Sequence, residues 1–194
     1  MSRRTRDLPE LTGFSHLVRE LRYNEAARQG IGLVLMAVYS LLAKPQFMSL
    51  LVGGGLALMG MIIRLYASGF IIKNEQLATD GAYSLVRHPL YTGNLLLLIG
   101  FTFASAQWWA LVISVLFWWF YYPTAIEYED RKLHSIFGED WERWSQTVPA
   151  VIPKDFRLRG GENWSFMTSL KQNVEPLIVI YTLFCLYIIA SKFG

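Results

Sequence analysis

Cysteine is almost absent from this 194-residue chain, with Cys185 the only one. That excludes an intrachain disulfide and a cysteine-based metal site, and no other metal set is expected. Cys185 lies in an apolar run and reads as a small buried helix residue. Charge is scarce as well. Charged residues make up 17% of the chain, against about 25% in an average soluble domain. Between Pro89 and Ile126 there are none. Internal repeats and low-complexity tracts are missing too. The basic stretch Met1 to Asp7 leads into polar residues, so no cleavable signal peptide is expected there. The chain is instead rich in apolar matter, 53% hydrophobic and 15% aromatic. These residues come in blocks, and roughly 20 apolar residues cross a hydrocarbon core of about 30 Å. The expected class is therefore all-α integral membrane, organised as one domain over 1–194.

Five spans are expected. The first covers about Gly30 to Ala43, and the second Phe47 to about Ile72 with Arg64 inside it. Only Lys44-Pro45-Gln46 separates them, which predicts a tight antiparallel hairpin. The third runs from about Leu90 to Ser105, and the fourth from Trp108 to Ile126. One helix over 90–126 would need about 55 Å at 1.5 Å per residue, so Ser105-Ala106-Gln107 reads as a turn. Trp108 and Trp109 fit an interfacial aromatic belt. The fifth span covers about Pro176 to Ala190.

The loops fix an orientation. With the N-terminus inside, the segments 1–29, 73–89 and 127–175 hold 15 Lys and Arg, while the outside holds only Lys44 and Lys192. Every Asp and Glu also falls inside. Positive-inside asymmetry of this kind predicts a cytoplasmic N-terminus and an outside C-terminus. The basic excess marks topology and gives no separate reason to expect nucleic-acid binding. Phe14, Leu17, Val18 and Leu21 recur at helical spacing, so 14–28 reads as one amphipathic helix on the inner surface, with Ser15 a candidate cap.

Two polar cassettes bracket the uncharged stretch, and both face the cytoplasm. The first runs from Gly81 to Gly93 and contains Tyr83 and Arg87-His88-Pro89-Leu90-Tyr91-Thr92-Gly93. Pro89 suits the first turn of a helix, where its missing N–H would be unpaired anyway. A helix N-terminus beside Arg87 and His88 favours a carboxylate or phosphate. Gly93 permits close approach of another helix or a ligand. Read alone, Arg87 is equally an interfacial anchor and His88 a backbone cap.

The second cassette holds Glu127, Glu129, Asp130, Arg131, Lys132, Leu133, Phe137-Gly138, Trp141 and Trp144. It is expected to continue the fourth span as a cytosolic helix. Glu129, Leu133, Phe137 and Trp141 would then share one packed face at i, i+4 spacing. A carboxylate on such a stripe needs a partner. Arg87, His88 or a cationic ligand are the candidates. Glu127 with Arg131 and Asp130 with His134 are expected as i, i+4 pairs.

The pattern Arg-His-Pro-x-Tyr-x-Gly, an uncharged helical hairpin, then Glu-Asp-x-x-Leu-x-x-x-Phe-Gly-x-x-Trp resembles the isoprenylcysteine carboxyl methyltransferase family. That family is related to the membrane phospholipid N-methyltransferases. The resemblance covers about Glu75 to Pro153. It implies an S-adenosylmethionine-dependent methyltransferase with its cofactor core at 75–153, closed by a cytosolic C-terminal helix. It assigns Tyr83, Arg87, His88, Pro89, Leu90, Tyr91, Gly93, Glu129 and Asp130 to the cofactor. Arg87 would take its carboxylate, and Glu129 or Asp130 its ammonium or ribose hydroxyls. Arg87, His88 and Glu129 are the candidate catalytic groups, with His88 or Glu129 accepting a proton if the acceptor is an amine. Arg64 and Trp141 are candidate substrate contacts. The expected acceptor is a membrane lipid or lipidated small molecule, and the expected location a prokaryotic inner or plasma membrane. The chain departs from the family in having Glu129-Asp130 where Glu-Glu is common and Trp141 where Tyr is common.

Two other readings stand beside this one. Membrane sterol reductases have a similar Arg-His-Pro region and use NADPH, but are usually longer. A non-catalytic membrane protein could use the cassettes only to anchor helix ends. Arg64 either reaches back to the inner headgroups or points into the bundle. Gly53, Gly54, Gly55 and Gly60 on the same helix read as a close-packing surface.

Overall fold

The computed structural model describes residues 4–70, 76–162, 164–171 and 174–193. Arg3, Ile72 at the expected end of the second span, Lys73, and Glu75 at the start of the motif region lie outside the described residues. Among the described residues the fold is helical, and one isolated antiparallel bridge joins Gly81 to Arg159.

Helix α1 (Gly13–Arg22) is amphipathic, with Phe14, Leu17 and Leu21 exposed. It stops ten residues in, not at Arg28 as expected. Asn24 is the reason. Its side chain accepts the Ala27 N–H at 3.0 Å and starts a new helix, α2 (Glu25–Leu41). An N-cap of this type outcompetes continuation of the preceding helix. Ser15 lies inside α1, and the N-cap position is Thr12. After the short link at Lys44-Pro45-Gln46 comes α3 (Phe47–Ser68), whose start is fixed by reciprocal Gln46 and Ser49 contacts.

A 3-10 turn at Ala82–Ser84 precedes α4 (Pro89–Ser105). Helix α4 begins at Pro89 and ends where Ala106 turns left-handed, with φ +52°. Then α5 (Trp108–Phe137) runs for 30 residues, about 45 Å at 1.5 Å per residue. The Arg22 Nε donates to the Phe120 carbonyl at 3.0 Å, and Thr124 Oγ1 donates to the Arg22 carbonyl at 2.9 Å. These bonds dock the end of α1 onto α5.

Helix α5 stops at Gly138, which has φ +51°. The chain restarts as α6 (Glu139–Thr147), so Trp141 sits on a separate helix from Glu129, Leu133 and Phe137. The expected single stripe is thus broken by a glycine conformation that L-residues rarely adopt. Short α7 (Phe166–Lys171) leads to α8 (Glu175–Ala190).

Helices α3 and α5 are long and apolar enough to cross a membrane, and α4 and α8 are shorter apolar helices. Large apolar side chains lie exposed along α2, α3, α5 and α8, including Val34, Leu51, Ile62, Val115 and Ile180. An apolar surface this extensive marks a membrane or protein contact.

The most extensive helix contact joins α3 and α4. Small residues make it possible. A Cβ on Gly60 would lie 2.6 Å from the Gly93 carbonyl oxygen, and one on Gly53 2.3 Å from the Ala104 nitrogen. Gly54 and Gly55 have nothing within 4 Å. Only Gly53 and Gly60 of the expected glycine set therefore form the seam. The apolar centre packs Tyr39, Leu97, Phe101, Phe117 and Tyr122 together.

Candidate functional site

The first turn of α4 and the middle of the second cassette meet in a clamp. Arg87 Nε and Nη2 donate to the two Asp130 carboxylate oxygens at 3.3 and 2.8 Å. Its Nη1 donates to the carbonyls of Ser145 and Val148 at 3.1 and 2.8 Å. His88 Nε2 lies 2.9 Å from Asp130 Oδ1. The backbone completes the clamp, with Arg87 N–H donating to Pro149 and His88 N–H to Ala150 at 2.8 and 2.9 Å. Thr92 Oγ1 donates to the Val151 carbonyl at 2.6 Å. Five guanidinium N–H groups are available to Arg87, and this clamp takes four of them. Asp130 pairs here and not with His134, which binds Glu142 at 2.7 Å instead. The reason is reach: Asp130 faces the α4 terminus, whereas His134 faces α6.

Beside the clamp lies a cavity of about 860 Å³. Tyr83, His88, Pro89, Leu90, Tyr91, Glu129 and Trp144 line its polar end. Its other end runs between α2 and α8, past Leu33, Met36, Leu177, Ile178 and Tyr181. Glu129 lines the cavity with no hydrogen bond or ion pair among the described residues. Its neighbour Glu127 is spoken for, accepting from Tyr23 Oη at 2.8 Å and pairing with Arg131 at 3.4 Å. Burial and the Glu127 carboxylate push the Tyr23 phenol up to about 12. Burial likewise pushes the Tyr83 phenol up, so it stays a neutral donor at the cavity wall. Among the described residues the Trp144 Nε1 is buried without a partner. An orphan donor in a cavity wall is a place for a ligand acceptor.

Arg64 points into the bundle. Its Nε and Nη2 grip Glu175 at 3.2 and 2.6 Å, and Nη1 donates to Asn94 Oδ1 at 2.6 Å. It lines the cavity but is already paired. Gly93 lies in the α3–α4 seam, where a Cβ would meet Arg64 Cγ at 2.5 Å. Trp141 packs edge-on to His134 at 5.2 Å, with Arg87 5.9 Å from its ring centroid. So the structure brings Tyr83, Arg87, His88, Pro89, Leu90, Tyr91, Glu129 and Arg64 to one cavity. Gly93, Asp130 and Trp141 sit behind its wall. Sequence reasoning missed Arg28, Asn94, Tyr122 and the α8 residues. Arg28 was absorbed into the basic loop count, and its signal was position: three residues into the helix that Asn24 starts.

A helical fold with apolar helices long enough to cross a membrane, and an Arg-His-Pro helix start clamped to Asp130, defines the class. Residues 50–140 match the family model described as phospholipid methyltransferase. The cobalt-zinc-cadmium resistance protein CzcN of Cupriavidus metallidurans is 35% identical over 130 residues, covering 66% of this chain and 59% of that protein. The protein-S-isoprenylcysteine O-methyltransferase of Schizosaccharomyces pombe is 32% identical over 81 residues, 42% of this chain and 34% of that protein. Protein-S-isoprenylcysteine O-methyltransferase B of Arabidopsis thaliana is 27% identical over 81 residues, 42% and 41% respectively. Over these stretches the chain is similar to phospholipid methyltransferases and to isoprenylcysteine O-methyltransferases. The matched part spans between a third and three-fifths of these relatives' length. No solved structure matches the chain significantly.

Proposed function

We propose that this chain is an integral membrane methyltransferase that uses S-adenosylmethionine to methylate a lipid or lipid-like acceptor. One observation carries the reading. A single cavity joins Glu129, a carboxylate with no partner among the described residues, to an apolar passage between α2 and α8. A charged, water-borne cofactor and a greasy acceptor need such a junction.

The residues present fit the cofactor. Glu129 would hold the cationic end, by its ammonium or sulfonium. Tyr83, Tyr91 and Trp144 offer aromatic faces for the adenine and the sulfonium. The orphan Trp144 Nε1 offers a donor. Bound there, the cofactor would supply an electrophilic methyl group for transfer to the acceptor, with the neutral thioether as the leaving group. The chain supplies position and dryness. Asp130 holds Arg87 and His88, and those two fix the start of α4, so Tyr91 is presented from a rigid turn. His88 stacks on Tyr91 at 5.5 Å. For a carboxylate acceptor no base is needed. For an amine, Glu129 or His88 would take the proton.

In this reading α2, α3, α4, α5 and α8 make five spans. The N-terminus and the cofactor end face the cytoplasm of a prokaryotic cell, α6 closes the cofactor pocket, and the C-terminus lies outside. Titration calorimetry on detergent-purified protein tests the function. S-adenosylmethionine and its demethylated product are expected to bind, and Glu129→Gln to weaken both by about tenfold or more, the worth of a charged hydrogen-bonded contact. Binding of NADPH in place of both would overturn the reading in favour of a reductase. A Glu129→Gln variant that binds as well as wild type would remove Glu129 from the site.

A further inference from the structure

The four arginines that line the cavity differ in what they hold, and Arg4 is spent on Glu25. Arg87 is spent on Asp130 and two carbonyls. Arg64 is spent on Glu175 and Asn94. Arg28, on α2, is 6% exposed and lines the same cavity. Among the described residues it has no carboxylate partner. Its hydrogen bond is a long one, from Nη2 to the Tyr91 hydroxyl at 3.4 Å. Its guanidinium otherwise lies 5.0 Å from the Tyr91 ring centroid and 5.6 Å from that of Tyr122.

A buried guanidinium is costly to desolvate unless charge and hydrogen bonds compensate. Two aromatic faces recover part of that cost and hold the plane still. Among the described residues they leave most of its N–H groups without acceptors. A stacked, immobile guanidinium with free N–H edges is the geometry that takes a carboxylate by paired hydrogen bonds. Glu129 completes the picture. It carries the opposite charge and lines the same cavity from α5.

We infer that Arg28 is the carboxylate receptor of the cavity, binding its ligand's acid group opposite Glu129. The inference rests on the methyltransferase reading and deepens it. It also replaces Arg87, the expected receptor, with a residue whose donors are unspent. Two ligands could bring the acid group, the amino-acid end of the cofactor or the head of the acceptor, and the chemistry of recognition is the same.

Calorimetry with matched ligand pairs tests it. The first pair is S-adenosylhomocysteine and its decarboxylated analogue. The second is N-acetyl-S-farnesylcysteine and its amide. In Arg28→Gln the dissociation constant of an acid is expected to rise about tenfold or more, the range of a charged hydrogen-bonded pair. Its acid-free partner is expected to change less than about twofold. Arg28→Lys, which keeps the charge without the fork, is expected to fall between. Thermal unfolding in detergent checks that both variants fold. If Arg28→Gln does not, Arg28→Lys carries the comparison. An effect confined to the first pair identifies the cofactor as the source, and one confined to the second identifies the acceptor. Equal change within both pairs, or none in either, overturns the inference and leaves Arg28 a packing residue. If wild type binds neither adenosyl ligand, the methyltransferase reading fails, and the farnesylcysteine pair still decides Arg28. Wild-type binding of no acid at all overturns both.

Discussion

Glu129 and Asp130 adjoin in the chain and point to different tasks. Asp130 is the shared acceptor of Arg87 and His88, while Glu129 faces the cavity. Asp130→Asn is expected to lower unfolding stability in detergent by about 3 kcal/mol, because it strands a largely buried guanidinium. Glu129→Gln is expected to change it by less than about 0.5 kcal/mol. Thermal unfolding of the two variants side by side checks this. Arg64 offers a second residue-level test. Arg64→Leu leaves Glu175, 1% exposed, without its cation and is expected to cost about 3–5 kcal/mol. Adding Glu175→Leu is expected to recover most of that loss, since an apolar pair replaces a buried ion pair at little net cost. The motif residues were legible in the sequence, but their partners were not. Arg64 and Glu175 are 111 residues apart, and no local pattern links them. The same distance hid the division of labour between Arg87 and Arg28, which depends on where Asp130 reaches.

At the scale of elements, helix starts were the most legible part. The expected spans at Phe47, Leu90, Trp108 and Pro176 begin within one residue of α3, α4, α5 and α8. Pro89, Pro176 and the short polar links are strong local signals. Breaks inside continuous helical patterns were missed. Asn24 and Gly138 each interrupt a run whose apolar spacing reads straight through. The α3–α4 seam gives a prediction of its own. Gly60→Leu must push a side chain into the Gly93 carbonyl and is expected to cost about 3 kcal/mol or more. Gly54→Ala, on the open face, is expected to stabilise by up to about 1 kcal/mol through helix propensity. Unfolding midpoints of the two variants report the contrast.

For the whole molecule, the proposed topology places the end of α5 and the end of α8 in different water phases. In a Cys185→Ser background, Ser135→Cys and Ser191→Cys put exposed thiols at those ends. An impermeant maleimide applied to intact cells is expected to label the second and to reach the first only after lysis. Labelling of both in intact cells would refute five spans. Cys185 itself, 1% exposed, is expected to stay unlabelled in the native fold.

The two sides of the cavity differ in stiffness. Helices α3 and α4 touch backbone to backbone, so neither can yield without unzipping a row of glycine contacts. Across the passage, α2 and α8 are joined by the Tyr181 hydroxyl donating to the Leu33 carbonyl at 2.8 Å, and the other lining side chains, such as Leu177 and Ile178, can change rotamer at small cost. A long tail that enters there displaces flexible groups, whereas a headgroup at Tyr91 meets fixed ones. Selection then falls on the head and not on the tail. Acceptors that differ only in chain length or branching are expected to compete for the site with similar strength, while a single change of head charge excludes them.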